Sequence, residues 1–242
     1  MNTSQKQLTI VVPAKNESRL LPKLLESLCR QDYSHLCSTK VLVADAGSTD
    51  GTRDLAWSFT GRLDIEVIPG GLPSVGRNAG ARRAHTPYVL FLDADMELKD
   101  PSLIRRAMDL ATRRKLHCVT TNIWCSNGRV RDQLLYVGNN IAQYGSMLVR
   151  PFSTGMFMLF AKSEFDRLGG FHEGALYAED YLLSKKVARR KFGIVRGCVH
   201  TTNRRFRNMG HARVVGLFLK TMFNTWNDSY FLHDQGYWRQ KV

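Results

Sequence analysis

The apolar segment Tyr88–Leu92 runs directly into Asp93 and Asp95, and this junction constrains the fold more than any other stretch of the chain. A short run of Val, Leu and Phe without alternating polar residues is typical of a strand that is buried on both faces. Such strands belong to parallel sheets that helices cover on both sides. The two aspartates would then lie at the carboxyl end of the strand, which is the edge where open α/β sheets bind ligands.

The first half of the chain repeats this arrangement of an apolar strand followed by a helical pattern. The predicted strands are the segments 8–13, 40–46, 63–69, 88–95 and 116–124. Strands that alternate with helices in this way indicate βαβ units and a parallel sheet. We therefore predict an α/β fold whose ligand site lies where these strands end.

The second half is less regular. Its pattern predicts a helix over 178–193 that ends at Gly193, and then a short strand pair over 194–202. An amphipathic helical pattern rich in aromatic residues follows. We assign 1–208 to one α/β domain and 209–242 to a C-terminal helical tail, which packs on the domain, contacts a second copy in a homodimer, or lies at a membrane surface.

The chain carries a net charge of +14, and the charge is unevenly placed. Between Tyr181 and Tyr230 the only acid is Asp228, whereas eleven lysines and arginines fall in the same window. A basic face of this kind attracts nucleic acid, anionic lipid or a phosphorylated substrate. No helix-turn-helix, zinc or RNP-type signature accompanies it, which argues against a nucleic-acid partner.

The sequence predicts a cytoplasmic protein, with the basic C-terminal region as a peripheral contact to the inner face of the membrane. The first apolar run is too short for a signal peptide, and no later segment approaches the roughly 18 apolar residues of a spanning helix. Five cysteines without a CxxC pair fit reduced thiols better than a disulfide framework or a zinc site.

Asp93 and Asp95 have the chemistry of a metal site for nucleotide phosphates. Where the backbone turns at a strand end, two carboxylates can approach one hard cation, Mn²⁺ or Mg²⁺, whose remaining ligands are phosphate oxygens. The metal neutralises charge on a departing diphosphate. Asp45 also ends an apolar strand, and its carboxylate either accepts hydrogen bonds from a base or ribose or stabilises an Asx-type turn.

Six segments occur in the order of a known family: IVVPAKNESRLLPKLLESL, VLVADAGSTDGT, GRNAGARRA, YVLFLDADMEL, TGMFMLFAKSEFDRLGGFHE and AEDYLLSKKVARR. The chain thereby resembles the family 2 inverting glycosyltransferases with the GT-A fold, from about residue 8 to about residue 207. The resemblance implies a Rossmann-like, mixed and mostly parallel sheet flanked by helices. It also implies transfer of sugar from a nucleotide-diphosphate sugar to an acceptor hydroxyl. The sequence lacks the spanning helices and the QxxRW-type segment of processive synthases, which favours transfer of one sugar.

The same resemblance implies roles for individual residues of the donor site. The positions that match the nucleotide, diphosphate and metal segments of the family are Pro13, Ala14, Glu17, Asp45, Arg77, Asn78, Asp93, Ala94 and Asp95. Ala46 departs from the acidic or amide residue that the family often carries there, which leaves the choice between UDP and GDP open, with a UDP-sugar favoured.

Glu179 and Asp180 match the ED motif of the family, which implies that Asp180 is the catalytic base and that Glu179 supports it or contacts the acceptor. Inversion by direct displacement needs a base opposite the departing diphosphate. The alternative is that both residues are first-turn acids that stabilise a helix. Gly155 resembles the position where the backbone approaches the donor sugar, or it is a glycine at a strand edge.

Two further assignments also rest on related transferases. His200 is either a third metal ligand, since neutral imidazole suits Mn²⁺, or a histidine with no metal role. Arg204 and Arg205 resemble a basic pair that holds the diphosphate or an acceptor phosphate, or they belong to a charged surface loop.

The sequence as a whole predicts a metal-dependent glycosyltransferase that acts on a glycan, lipid-linked or cell-envelope acceptor. A nucleotidyltransferase is the alternative within enzymes, but VVPAKNESR lacks the Gly-rich first loop of that class. A basic nucleic-acid-binding protein is the alternative outside enzymes.

Overall fold

The computed structural model describes residues 6–233 as a seven-stranded sheet with helices on both faces. The strands are β1 (Leu8–Ala14), β2 (Lys40–Asp45), β3 (Asp64–Pro69), β4 (Tyr88–Leu92), β5 (Cys118–Cys125), β6 (Phe157–Ala161) and β7 (Phe192–Thr201). The α-helices are α1 (Leu21–Cys29), α2 (Thr52–Trp57), α3 (Pro73–Arg83), α4 (Leu103–Arg114), α5 (Val130–Ser146), α6 (Lys162–Arg167), α7 (Glu179–Ser184), α8 (Arg204–Met209) and α9 (His211–Phe223).

The strand order is β3-β2-β1-β4-β6-β5-β7. All neighbouring pairs are parallel except those of β6, which runs antiparallel to both β4 and β5. The predicted α/β fold with a mixed, mostly parallel sheet is therefore confirmed. The central strand β4 is buried from Val89 to Leu92, as its continuous apolar sequence predicts.

The reversed direction of β6 decides what surrounds the end of β4. Leu92, the last residue of β4, pairs with Phe157, the first residue of β6. Because the strands are antiparallel, the chain enters β6 at the edge where it leaves β4. Gly155 therefore lies at the same edge as Asp93.

The helix predicted over 178–193 is wrong in length, because α7 ends at Ser184. The chain turns there, Ala188 is extended, and Gly193 lies inside β7. Pairing with β5 buries Phe192 and Val195, and this long-range gain outweighs the local helical pattern.

The predicted strand pair over 194–202 is likewise wrong, because β7 is one strand with an irregularity in its centre. Val195 pairs with Thr121 and Cys198 pairs with Asn122, so Arg196 and Gly197 are extra residues in β7. Gly197 has φ +117°, a conformation that favours glycine. The sequence suggests a turn at this glycine, whereas the structure has a bulge.

The tail predicted from residue 209 begins with α9 and continues to residue 233 in the structure. Phe231 is fully buried between Tyr177 and Tyr181, whereas Phe223 and Trp226 are exposed. Tyr237 and Trp238, two aromatic residues of the predicted tail, lie outside the described residues, and the domain boundary at 208 stays a prediction. Within residues 6–233 no helix has the length and apolar character needed to cross a membrane.

Candidate active site

Asp93 and Asp95 follow β4 and lie at the carboxyl edge of the sheet, as predicted. Asp93 accepts a 2.5 Å hydrogen bond from Nη2 of Arg77, and Asp95 accepts one of 3.0 Å from Nη2 of Arg204. Burial raises the pKa of Asp95, and the charge of Asp93 raises it further, while Arg204 opposes both. The two carboxylates thus repel each other, and each is held by a cationic side chain.

Arg77 joins two acidic groups that are far apart in the sequence. Its guanidinium donates to Asp93 through Nη2 and to Glu179 through Nη1, the latter at 2.6 Å. The side chain is 3% exposed and lies over the ring of Phe171 at 5.2 Å. Burial alone would lower the pKa of Arg77, but attraction to Asp93 and Glu179 outweighs it and raises that pKa.

Asp180 is held by two backbone groups. Its Oδ2 accepts a 2.6 Å hydrogen bond from the Gly155 amide, and its Oδ1 accepts one of 2.7 Å from the Tyr181 amide. Burial, followed by repulsion from Glu179, raises the pKa of Asp180 to about 7, although Arg77 and these hydrogen bonds oppose the rise. A carboxyl group with this pKa can take up and release a proton near neutral pH.

The turn before α7 is strained. Ala178, which immediately precedes Glu179 and Asp180, has φ +53° in the left-handed region. A non-glycine residue rarely adopts this conformation, and such residues cluster at functional sites. The turn aims the ED pair at Arg77 and Gly155.

Gly155 lies at this edge of the sheet, and its nearest side chain is Arg77. A Cβ at Gly155 would lie 2.4 Å from Nη2 of Arg77. The guanidinium is fixed by Asp93 and Glu179, so it cannot move aside without weakening an ion pair. The absent side chain therefore makes room for the arginine, and the predicted approach to a donor sugar stays a prediction.

We expect Gly155→Ala to lower the free energy of unfolding by about 1–3 kcal/mol, because the added methyl group overlaps Arg77. Gly138→Ala on α5 is the matched control, since a Cβ there meets nothing within 4 Å. The control should gain about 0.5–1 kcal/mol from helix propensity. Urea unfolding of both variants measures the difference, and equal stability of the two would contradict this account of Gly155.

Asn78 holds the turn that leads to the ED helix. Its Nδ2 donates to the Phe171 carbonyl at 2.8 Å, and its Oδ1 accepts from the Phe171 amide at 3.0 Å. The same Nδ2 also donates to Glu173. The predicted contact of Asn78 with a nucleotide stays a prediction. In this structure the residue fixes Phe171 beneath Arg77.

The segments predicted to line the base pocket lie at the ends of β1 and β2. Pro13 and Ala14 end β1, and Ala14 pairs with Asp45 at the end of β2. Asp45 is 7% exposed, and its two oxygens accept from the Ser48 amide at 3.3 and 3.2 Å. The carboxylate therefore stabilises the turn after β2, and a role in binding a base or ribose stays a prediction.

Asn16 is a residue of this region that the sequence reasoning missed. It has φ +54°, donates its amide to Ser48 Oγ, and accepts from the Thr49 amide through Oδ1. These bonds join the loop after β1 to the loop after β2. The only signal in the sequence is that asparagine tolerates the left-handed region better than most residues.

Arg204 connects Glu17 to Asp95. It donates to both carboxylate oxygens of Glu17 at 2.8 and 2.7 Å, in addition to Asp95. Burial raises the pKa of Glu17, and Arg204 opposes the rise. Arg205 is exposed and lies near enough to Asp95 to lower the pKa of that carboxyl. Its predicted contact with a phosphate stays a prediction.

His200 is not grouped with the two aspartates. Its Nδ1 lies 3.0 Å from Ser126 Oγ, and its Nε2 lies 3.4 Å from Cys198 Sγ. In the part of the chain between residues 6 and 233, no three His, Cys, Asp or Glu side chains form a group that could hold a metal ion. A metal role for His200 stays a prediction.

Residues 9–169 match the family described as Glycosyl transferase family 2. The chain belongs to this family. Validoxylamine A glucosyltransferase of Streptomyces hygroscopicus subsp. jinggangensis is 36% identical over 105 residues, which are 42% of this chain and 24% of that protein. The poly(ribitol-phosphate) beta-N-acetylglucosaminyltransferase TarS of Staphylococcus aureus Mu50 is 30% identical over 93 residues, which are 37% of this chain and 16% of TarS. The family 2 chain thus spans a quarter or less of these curated relatives.

Solved structures share the fold. The mannosyltransferase PcManGT of Pyrobaculum calidifontis, in complex with GDP-Man and Mn²⁺, has a TM-score of 0.68 at 23% identity, over 91% of this chain and 65% of that one. S. aureus TarS 1–349 in complex with UDP-GlcNAc has a TM-score of 0.65 at 20% identity, over 82% of this chain and 59% of that one. The GT-A fold predicted from the sequence is confirmed.

Proposed function

We propose that this family 2 protein is a metal-dependent, inverting glycosyltransferase that moves one sugar from a nucleotide-diphosphate sugar to an acceptor hydroxyl. The observation that carries the proposal is the ion pair of Arg77 with both Asp93 and Glu179. Its guanidinium joins Asp93, one of two carboxylates suited to a diphosphate site, to Glu179, the neighbour of the titratable carboxyl Asp180. Direct displacement needs these two functions on opposite sides of the reacting carbon.

Asp180 is the proposed base. Its pKa of about 7 lets it accept the proton of the acceptor hydroxyl near neutral pH. The Gly155 and Tyr181 amides fix the direction of the carboxylate, and Glu179 fixes Arg77. Arg77 lowers the free energy of the ionised Asp180 without neutralising it by direct contact, so the group keeps its basicity.

Asp93 and Asp95 fit a divalent cation. Their donor set is two carboxylates at a strand end. Burial and then repulsion from Asp93 raise the pKa of Asp95, and a nearby cation would lower that pKa. Mn²⁺ or Mg²⁺ bound there with phosphate oxygens would neutralise the charge of the departing diphosphate. In this structure Arg204 binds Asp95. We infer that its guanidinium turns to the phosphate oxygens when a donor binds.

The relatives support more than one donor. TarS was solved with UDP-GlcNAc and PcManGT with GDP-Man, and each complex concerns that protein alone. A UDP-sugar is favoured here and a GDP-sugar is the alternative. The proposed acceptor is a glycan or lipid-linked hydroxyl, and the family match favours this reaction over nucleotidyl transfer or nucleic-acid binding.

We expect the matching nucleotide diphosphate to raise the melting temperature in Mn²⁺ and to lose most of this effect in EDTA. At 100 times the Kd the rise should be about 5–10 °C for a domain of this size. The measurement is thermal unfolding with UDP, GDP, CDP and dTDP and their sugars. Asp95→Ala should abolish the metal-dependent part.

Asp109→Ala, at an exposed position of α4, is the matched control and should keep the full shift. Equal shifts in Mn²⁺ and EDTA would reject the metal dependence but retain nucleotide binding. A flat response across the whole panel from a folded protein would reject the proposed donor class.

A further inference from the structure

The outer face of α5 carries a continuous stripe of apolar side chains. The stripe consists of Val130, Leu134, Val137, Ile141 and Tyr144, and Leu148 continues it just beyond the helix. Steps of four and three residues place these side chains within an arc of roughly 80° on one side of the helix. Leu134 is 63% exposed and Ile141 is 66% exposed. An exposed apolar row of this length marks an interaction surface.

The opposite face of α5 is anchored on the protein, so the stripe cannot turn inward. Asp132, Tyr136 and Gln143 are buried on that face. Nδ2 of Asn140 donates to the Ile123 carbonyl at 3.0 Å, and Nε2 of Gln143 donates to the Thr121 carbonyl at 3.0 Å. The buried face of α5 thus combines Leu135 and Tyr136, which pack on the core, with amide side chains that bind β5, while the apolar stripe faces solvent. A surface helix usually turns such an apolar stripe towards the core.

The exposed charges at the two ends of the stripe are cationic, whereas Asp132 of α5 is buried and contacts His211. Residues 133–149 contain no charged side chain, and Arg129, Arg131 and Arg150 flank the stripe at its two ends. Arg150 lies over the ring of Trp226 at 4.0 Å, which joins the stripe to Trp226 and to Phe223, the exposed last residue of α9. The surface therefore combines apolar and aromatic side chains with arginines at its rim.

A second copy of the chain is a poor occupant of this surface. Antiparallel pairing of two α5 helices would bring Arg131 of one copy towards Arg150 of the other, and parallel pairing would bring like ends together. Acidic residues that would pair across such an interface are missing from 133–149. Like charges at both ends oppose self-association, whereas an anionic partner complements them.

We propose that the α5 stripe, with its flanking arginines and the exposed end of α9, is a docking surface for membranes that contain anionic lipids. An apolar helical face with cationic residues at its margins binds in the interface of a bilayer by burying the face and attracting anionic headgroups. Tyr144 and Trp226 also suit the membrane–water interface, since aromatic rings that carry a polar atom favour this region.

Docking would place the candidate active site close to the membrane surface. Asp132 of α5 contacts His211 and accepts from Nδ2 of Asn203, the two residues that flank α8. Tyr136 packs on Phe206 of α8, the helix that begins with Arg204. The membrane surface and the Arg204 contact to Glu17 and Asp95 would thus be connected through two packed helices, α5 and α8.

The test is co-sedimentation of the full chain with phosphatidylcholine vesicles, with and without phosphatidylglycerol, in the absence of nucleotide and acceptor. We expect binding only with phosphatidylglycerol, and weaker binding at high salt. Leu134→Gln with Ile141→Gln should weaken partitioning at least about tenfold, because two exposed apolar side chains are lost. Trp57→Gln, an exposed apolar residue on α2, should bind like the unmodified chain.

The arginines provide a second pair of variants. Arg131→Gln with Arg150→Gln should weaken binding to anionic vesicles, whereas Arg113→Gln with Arg114→Gln on α4 should have a smaller effect. Equal losses of vesicle binding in the two double variants would show that binding depends only on net charge, and would overturn the proposed surface. Failure to bind any vesicle would overturn it, as would a dimer in light scattering that Leu134→Gln with Ile141→Gln dissociates. None of these outcomes depends on transfer activity.

Discussion

Asp180→Asn is expected to lower the rate of nucleotide diphosphate release from the donor by about 10²–10⁴-fold, the usual contribution of a general base. The asparagine side chain cannot accept the proton of the acceptor hydroxyl. Donor binding should remain, because Asp93, Asp95 and Arg77 are unchanged. The measurement is the initial rate of diphosphate release, with donor affinity determined on the same samples by calorimetry.

The pH dependence of the rate follows from the raised pKa of Asp180. The base is active when ionised, and with a pKa of about 7 it is protonated below that pH. The rate of the unmodified enzyme should therefore fall about tenfold per pH unit below 7 and level off above it. The residual rate of Asp180→Asn should lack this acid limb.

Asp166→Asn, an exposed aspartate on α6 that pairs with Lys162, is the control for Asp180→Asn. It should keep both the rate and the acid limb. An Asp180→Asn protein with the full rate, or with an unchanged acid limb, would remove Asp180 from the role of base. Thermal unfolding of each variant establishes that a lost rate does not reflect lost structure.

Arg77→Met is expected to lower the free energy of unfolding by about 3–5 kcal/mol. The substitution leaves Asp93 and Glu179 without their shared cation in a site where the arginine side chain is 3% exposed. Methionine fills much of the volume, so the loss reflects mainly the unpaired carboxylates. Denaturant unfolding at pH 7.5 measures it.

Arg82→Met on the same helix is the matched control. Arg82 pairs with Glu173, but its side chain is 65% exposed, so the change should be within about 1 kcal/mol. Adding Glu179→Gln to Arg77→Met should recover at least about 1 kcal/mol, because one of the two uncompensated charges is removed. Equal stabilities of Arg77→Met and Arg82→Met would show that the buried ion pairs are not needed for the fold.

The sequence predicts the fold correctly where the local pattern of one strand determines whether that strand is buried. Val89–Leu92 has only apolar residues, so its burial and the position of Asp93 follow from local pattern. The end of α7 at Ser184 could not be predicted, because it depends on pairing of Phe192 and Val195 with a strand some 70 residues earlier in the chain.

The sequence indicated which residues lie at the candidate site, but not which of them contact one another. The family resemblance brought Arg77, Asp93 and Glu179 to one site, yet no periodicity indicates that a single guanidinium contacts both carboxylates. The same holds for Gly155, whose missing side chain makes room for Arg77. These contacts join segments separated by up to 102 residues, and only the folded sheet determines them.

The antiparallel placement of β6 has a consequence for how the protein can vary. Since β5 and β6 are antiparallel neighbours, the whole segment between them, including α5, is a connection tied to the sheet at its two ends. Such an excursion can change in length and surface chemistry while every strand keeps its register. The part of this connection that precedes Gly155 can thus differ between related proteins while β1 to β4 and the contacts of Arg77 stay in place.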